Sequence, residues 1–174
     1  GQVVVGTDSH TPHSGALGCV AFGVGTTDMA NAFVTGAVRV TWPDCVRVVL
    51  QGALPAGVTA KDVALHVLSQ PFVRDGGGLG RVFEFTGDGV ATLSTDERAT
   101  LTNMTAELGG LTGIVGGAAE FDLRHAAVGL LDLHLRLRDD DVAVLGDVDL
   151  RARLTAGVEP EARGDAAALV RRQR

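Results

Sequence analysis

Short β-branched or alternating runs along the chain predict strands, and stretches with helical spacing predict helices. Val3–Val5 is a β-branched run that ends at Gly6, which predicts a buried strand whose end delivers residues 7–10 into a loop. Cys45–Gln51 and Arg81–Thr86 alternate apolar and polar positions, as strands with one buried face do. The pattern therefore predicts at least three strands.

Two helices are predicted by capping boxes, in which a hydroxyl residue is followed three positions later by an acid. Thr59 with Asp62 begins one of them. Ser94 with Glu97 begins the other, which the apolar spacing predicts to run through Leu108.

Two further helices are predicted between the first strand and the second. Thr26–Asp28 resembles an N-cap with an acid in the first turn, and Gly36 can end that helix. Gly15–Gly23 consists of small and apolar residues and predicts a helix packed closely on neighbouring backbone, since glycine otherwise costs helix propensity. Strands that alternate with helices of about 10 to 15 residues indicate a layered α/β architecture.

Composition and charge exclude several classes of protein. The 174 residues suffice for one ordinary domain, and the net charge of -6 offers no basic surface for nucleic acid. No apolar run approaches the roughly 18 to 20 residues that span a bilayer, so we expect a cytoplasmic protein that does not bind membranes. The two cysteines show no CxxC spacing and imply neither a disulfide framework nor a self-contained metal site.

The composition changes sharply towards the C-terminus. Residues 123–174 contain no aromatic residue and no Ser, Asn, Ile, Lys, Met or Cys, which leaves few side-chain shapes with which to fill a core. We therefore expect residues 1–120 to form a partial α/β domain and residues 121–174 to form a poorly packed, low-complexity tail. This tail resembles the translation of a GC-rich coding region in a wrong frame, and a natural divergent end or a linker is the alternative.

The end of the first strand carries the densest cluster of reactive side chains. Asp8, Ser9 and His10 place an acid, a hydroxyl and an imidazole within three residues, with His13 close behind. Such a group can act as a proton relay or bind a substrate carboxylate. Turn and capping residues are the alternative interpretation of the same pattern.

Asn103 and Glu107 lie four positions apart on the last predicted helix and are therefore expected on one face of it. A glutamate at that position can fix the tautomer of an imidazole. A solvated helix face is the alternative.

Three sequence blocks occur in the order typical of one protein family. The first runs from Val5 to Asp28 and includes Gly-Thr-Asp-Ser-His-Thr-Pro-His-Ser-Gly, the second is Leu54–Asp62, and the third is Leu101–Gly109. Together they resemble the aconitase superfamily, in particular the large subunits of 3-isopropylmalate dehydratase, homoaconitase and related aconitases. The resemblance covers residues 1 to about 115.

The resemblance implies a layered α/β/α fold and a hydro-lyase activity. Members of this family dehydrate and rehydrate hydroxy di- or tricarboxylic acids of the isopropylmalate, homocitrate or citrate class. They do so at a 4Fe-4S cluster, in which one iron without a protein ligand binds the substrate hydroxyl as a Lewis acid.

The resemblance also implies roles for individual residues. Asp8, His10 and Glu107 would be catalytic, Ser9 would bind a substrate carboxylate, and Asn103 would lie beside the cluster. His10 and Glu107 would form a pair, at roughly 2.7 to 2.9 Å between nitrogen and oxygen if they are hydrogen-bonded.

The sequence departs from the family pattern at the cluster ligands. The family uses one lone cysteine and a CxxC pair downstream of the third block, and neither Cys19 nor Cys45 lies in those contexts. We therefore expect a fragment that is inactive alone and holds no cluster, and whose intact enzyme would use a small swivel-domain subunit. A non-catalytic acidic module that binds carboxylates or a partner protein is the alternative.

Overall fold

The computed structural model describes residues 2–116, 130–136 and 167–171, the last two ranges by their backbone alone. The strands in these ranges are β1 (Val3–Gly6), β2 (Val20–Gly23), β3 (Ala37–Thr41), β4 (Cys45–Gln51), β5 (Val82–Thr86), β6 (Thr112–Val115), β7 (Leu130–Arg136) and β8 (Ala167–Arg171).

The same ranges contain α-helices, a 3₁₀ helix and a π-helical turn. The α-helices are α1 (Thr26–Thr35), α2 (Ala60–Ser69), α3 (Asp88–Ala91) and α4 (Thr95–Asn103). The 3₁₀ helix Thr11–Leu17 connects β1 to β2, and the π-helical turn Val73–Gly77 precedes β5. Within the described residues, no helix has the length and apolar character that crossing a bilayer requires.

Three sheets organise these elements. The largest has four parallel strands in the order β6-β5-β4-β7. β1 and β2 form a parallel pair, whereas β3 and β8 pair in the antiparallel direction. Helices that alternate with parallel strands confirm the predicted α/β class.

The main core lies against the four-stranded sheet. Alternate side chains of β4 are fully buried, as the alternating sequence predicts, and they pack with β5 and α2. Each of these side chains contributes about 1.5 to 3 kcal/mol of burial free energy. The residues at the centre of this core are Val46, Val48, Leu50, Val63, Val67, Phe83 and Phe85.

The three predicted strands are confirmed as β1, β4 and β5. The expected burial of β1 is wrong, because Val3 is 47% exposed and Val4 and Val5 are only half-buried. Within the described residues β1 has β2 as its one strand neighbour, so much of its surface stays open to solvent.

Both capping boxes are confirmed. The hydroxyl and the backbone N–H of Thr59 donate to the carboxylate of Asp62 at 2.7 and 2.8 Å, and they hold its pKa below the ordinary value. At the start of α4 the backbone N–H of Ser94 and then its hydroxyl do the same for the pKa of Glu97. Each acid thus satisfies a backbone donor that the helix itself leaves unpaired.

The helix predicted over Gly15–Gly23 is wrong, although the reason given for its glycines is confirmed. The 3₁₀ helix ends where Gly18 adopts a left-handed conformation with φ 74°, and β2 follows. A Cβ atom on Gly15 would overlap the carbonyl oxygen of Gly113, so only glycine allows these two backbones to touch. The α1 helix is confirmed, with Gly25 rather than Thr26 as its N-cap.

The last predicted helix ends earlier than the apolar spacing indicates. α4 stops at Asn103, and residues 104–109 form consecutive turns. The Thr105 hydroxyl donates to the Thr102 carbonyl oxygen, and Gly109 takes φ 79°. Glu107 therefore lies in a turn, and the prediction that it shares one helical face with Asn103 is wrong.

Most of the predicted tail lies outside the described residues. Within it, the backbone of β7 pairs with β4 and that of β8 with β3. The expected division at residue 120 stays a prediction.

The close contact at Gly15 predicts that one added methyl group lowers the stability of the fold. Gly15→Ala would force the 3₁₀ helix away from β6, and we expect it to lower the free energy of unfolding by about 1 to 3 kcal/mol in urea denaturation. Gly116→Ala is the matched control, because its Cβ would meet only ordinary contacts at 3.6 Å or more. Equal losses in the two variants would contradict the close-contact interpretation.

The capping box at α4 predicts a pH-dependent contribution to stability. Because the pKa of Glu97 is lower in the folded state than its ordinary 4.5, its carboxylate stabilises the fold above that value. The contribution is lost as the pH falls through the lowered folded-state pKa. We therefore expect the stability difference between the wild-type chain and Glu97→Gln to shrink between about pH 6 and pH 3 in urea titrations.

Thr100→Val is the control for this pH dependence. Thr100 lies on the same helix, and its hydroxyl donates to the Asp96 carbonyl oxygen, which does not titrate. The stability difference between Thr100→Val and the wild-type chain should therefore be the same at about pH 6 and at about pH 3. A difference for Glu97→Gln that does not change with pH would count against the capping-box explanation.

Candidate active site

The loop after β1 and the turns after α4 meet at an open cleft of about 320 Å³. The first side comes from the end of β1, the 3₁₀ helix and the end of β2, and the second from the segment that leads into β6. The lining residues are Thr7, Asp8, Ser9, Pro12, Gly23 and Val24 on the first side, and Ala106, Gly110 and Leu111 on the second. The cleft thus joins two of the three sequence blocks.

Asp8 and His10 form a hydrogen-bonded pair at this cleft. Oδ1 of Asp8 accepts the backbone N–H of His10 at 2.6 Å and lies 2.7 Å from its ring Nδ1. The backbone hydrogen bond and then the ring hydrogen bond lower the pKa of Asp8, so its carboxylate is ionised at neutral pH. An ionised carboxylate only accepts, and Nδ1 therefore carries the proton while Nε2 remains for a ligand.

The backbone around this pair leaves little room for movement. The hydroxyl of Thr11 donates to the Asp8 carbonyl oxygen at 2.7 Å, and the N–H of Val24 donates to Gly6 at 2.8 Å. A Cβ atom on Gly23 would lie 2.6 Å from the same Asp8 oxygen. The loop is therefore held by β2 as well as by its own turn.

Ser9 contributes an exposed hydroxyl to the cleft. Within the described part of the chain its side chain has one hydrogen-bond contact, to Nδ1 of His10 at 3.5 Å. Because Nδ1 already donates to Asp8 and this distance is long, the hydroxyl retains its capacity to donate to a ligand.

Asn103 and Glu107 lie on the segment that forms the second side. Oδ1 of Asn103 is buried and has no hydrogen-bond partner among the described residues. Glu107 is exposed, and the structure shows no hydrogen bond between it and His10, whose ring bonds to Asp8 instead. The catalytic roles of His10 and Glu107 stay predictions.

Three threonines that the sequence pattern did not indicate are fully buried near the cleft segments. Thr102, Thr105 and Thr112 each have 0% exposure. The Thr102 hydroxyl lies 3.3 Å from the His13 carbonyl oxygen, and that of Thr112 donates to the Ala21 carbonyl oxygen. Local spacing carries no information on contacts across 89 or 91 positions, so the sequence pattern gives no signal for them.

The described residues do not include a set of ligands for a 4Fe-4S cluster. Cys19 precedes β2 and Cys45 begins β4, and both are half-buried. Among the described residues no three His, Cys, Asp or Glu side chains gather in one place. Oδ1 of Asn103 is a buried polar atom without a hydrogen-bond partner among the described residues. It is an amide oxygen, whereas the irons of such a cluster are held by cysteine thiolates.

Comparison with known proteins identifies the family of this chain. A model of the aconitase family (aconitate hydratase) matches residues 1–120. A probable 3-isopropylmalate dehydratase large subunit of Methanothermobacter thermautotrophicus is 46% identical over 115 residues. The 2,3-dimethylmalate dehydratase large subunit of Eubacterium barkeri is 47% identical over 114 residues.

Both alignments cover 66% of this chain and 27% of the relative, so the chain spans about a quarter of the length of these proteins. The 3-isopropylmalate dehydratase large subunit 1 of Pyrococcus furiosus is 42% identical over a region of the same extent. The family match and the Asp8–His10 cleft agree with the resemblance seen in the sequence blocks, and the chain belongs to the aconitase family.

Proposed function

We propose that this chain forms one wall of the active site of a hydro-lyase that removes and re-adds water on a hydroxy di- or tricarboxylic acid. The observation that carries the proposal is the Asp8–His10 pair beside the Ser9 hydroxyl at the cleft. Support comes from the relatives, which are named as dehydratase large subunits for 3-isopropylmalate and 2,3-dimethylmalate.

The proposed roles of these residues follow from which of their atoms already make hydrogen bonds. Asp8 holds Nδ1 of His10, so Nε2 is the ring atom that exchanges a proton with a substrate hydroxyl or water. The Ser9 hydroxyl donates to a substrate carboxylate. Glu107, exposed on the segment that forms the second side of the cleft, is the second acid of the proposed site.

In the intact family enzyme the cluster would supply a Lewis acid for the departing hydroxyl. We propose that its ligands lie outside this chain's described residues and that Asn103 lies beside it. Because the relatives are named as large subunits, we also propose a small subunit as the partner that completes the site. On this proposal the chain binds hydroxy-carboxylates alone but turns none of them over.

Binding of malate, a small 2-hydroxy dicarboxylate, tests the proposal. We expect NMR titration of the full chain to shift the signals of residues 7–12, and Ser9→Ala to weaken the affinity about tenfold, because one charge-assisted hydrogen bond is lost. Ser69→Ala is the matched control, since the Ser69 hydroxyl donates to the His66 carbonyl oxygen of its own helix.

The absence of any malate-induced shift would overturn the proposed function. Turnover of malate by the chain alone would contradict the expectation that other parts of the enzyme are required. Binding that is equally strong in Ser9→Ala and the wild-type chain would remove Ser9 from the site.

Asp8→Asn tests the Asp8–His10 hydrogen bond itself. An asparagine lacks the charge that favours the Nδ1–H tautomer, so we expect the ring of His10 to shift towards the Nε2–H form. Nitrogen-15 NMR of the imidazole at pH 8 measures the tautomer directly. Asp62→Asn is the control, because its carboxylate bonds Thr59 at the start of α2, and a tautomer unchanged by Asp8→Asn would contradict the assigned pair.

A further inference from the structure

A continuous series of hydrogen bonds crosses behind the cleft from one side to the other. The N–H of His13 donates to the His10 carbonyl oxygen at 3.0 Å, and the Thr102 hydroxyl lies 3.3 Å from the His13 carbonyl oxygen. The Thr105 hydroxyl donates to the Thr102 carbonyl oxygen at 2.6 Å, and the N–H of Gly110 donates to Thr105 at 2.9 Å. Thr102 is the residue at which the two sides join.

The surroundings of Thr102 make this junction rigid. Its side chain is fully buried, and its hydroxyl is shared between the His13 carbonyl oxygen and that of Ala99 at 3.2 Å. A Cβ atom on Gly113 would lie 2.9 Å from Cα of Thr102, and one on Gly15 would lie 3.3 Å from its Cβ. With backbone packed this closely on two sides, a change at Thr102 has no cavity in which to be absorbed.

We propose that Thr102 is a positioning residue that sets the separation of the two sides of the cleft. Thr102 does not itself line the cleft, and it acts through the His13 carbonyl oxygen on one side and through Thr105 on the other. This inference rests on the proposed function in so far as the two sides must hold the same ligand. Functional groups need to be held within about 0.5 Å of their productive geometry, which a fixed junction of this kind provides.

Thr102→Val tests the inference, because it keeps the branched shape and removes the hydroxyl. We expect it to shift the NMR amide signals of both His13 and Gly110 and to weaken malate binding about three- to tenfold, the range expected for one lost hydrogen bond. Thr102→Ser keeps the hydroxyl and should restore both signals and the affinity. Thr100→Val, the same substitution on the same helix, should leave both unchanged.

The outcomes separate a positioning role from a merely structural one. Signal changes confined to α4, or changes on only one side of the cleft, would overturn the inference even if stability falls. If Thr102→Val does not fold, Thr105→Val removes the next hydrogen bond of the series, from the Thr105 hydroxyl to the Thr102 carbonyl oxygen. An unchanged Gly110 signal and an unchanged malate affinity in that variant would overturn the inference. If the wild-type chain binds no malate, the proposed function fails, and joint shifts of His13 and Gly110 still decide the positioning role.

Discussion

The contact between the backbones of Gly15 and Gly113 is the constraint on which the rest of the structure depends. It places the 3₁₀ helix directly on β6, at a distance that no other residue type allows. The 3₁₀ helix continues from the loop that holds Asp8 and His10, while β6 continues from the turns that hold Glu107. Backbone contact at this one crossing is therefore what brings both sides of the cleft together.

The chemistry of the cleft is distributed unevenly between its two sides. On the first side, Asp8 and His10 satisfy one another and the backbone around them is closely packed. On the second side, Glu107 is exposed and the buried oxygen of Asn103 has no partner among the described residues. The first side thus fixes its own geometry and leaves the Ser9 hydroxyl and Nε2 of His10 for a ligand, whereas the second side contributes the exposed carboxylate of Glu107.

Local signals in the sequence predicted the local features of the fold. Both capping boxes, three strands and the glycines of the close approach were confirmed, because each depends on residues a few positions apart or on a steric property of one residue type. The end of α4 was not predicted, because the apolar spacing continues through turns in which the Thr105 hydroxyl bonds the Thr102 carbonyl oxygen and Gly109 is left-handed. The Thr102 junction was missed because its partner lies 89 positions away.

The Asp8–His10 pair spans only two positions, and this has a consequence for the order in which the site assembles. Closing so short a loop costs little chain entropy, and such turns form in well under a microsecond. The Thr102–His13 contact closes a loop of 89 positions and can form only when the distant parts of the chain have docked. The Asp8–His10 pair can therefore form before the cleft does, and tertiary folding supplies its alignment with the opposite side.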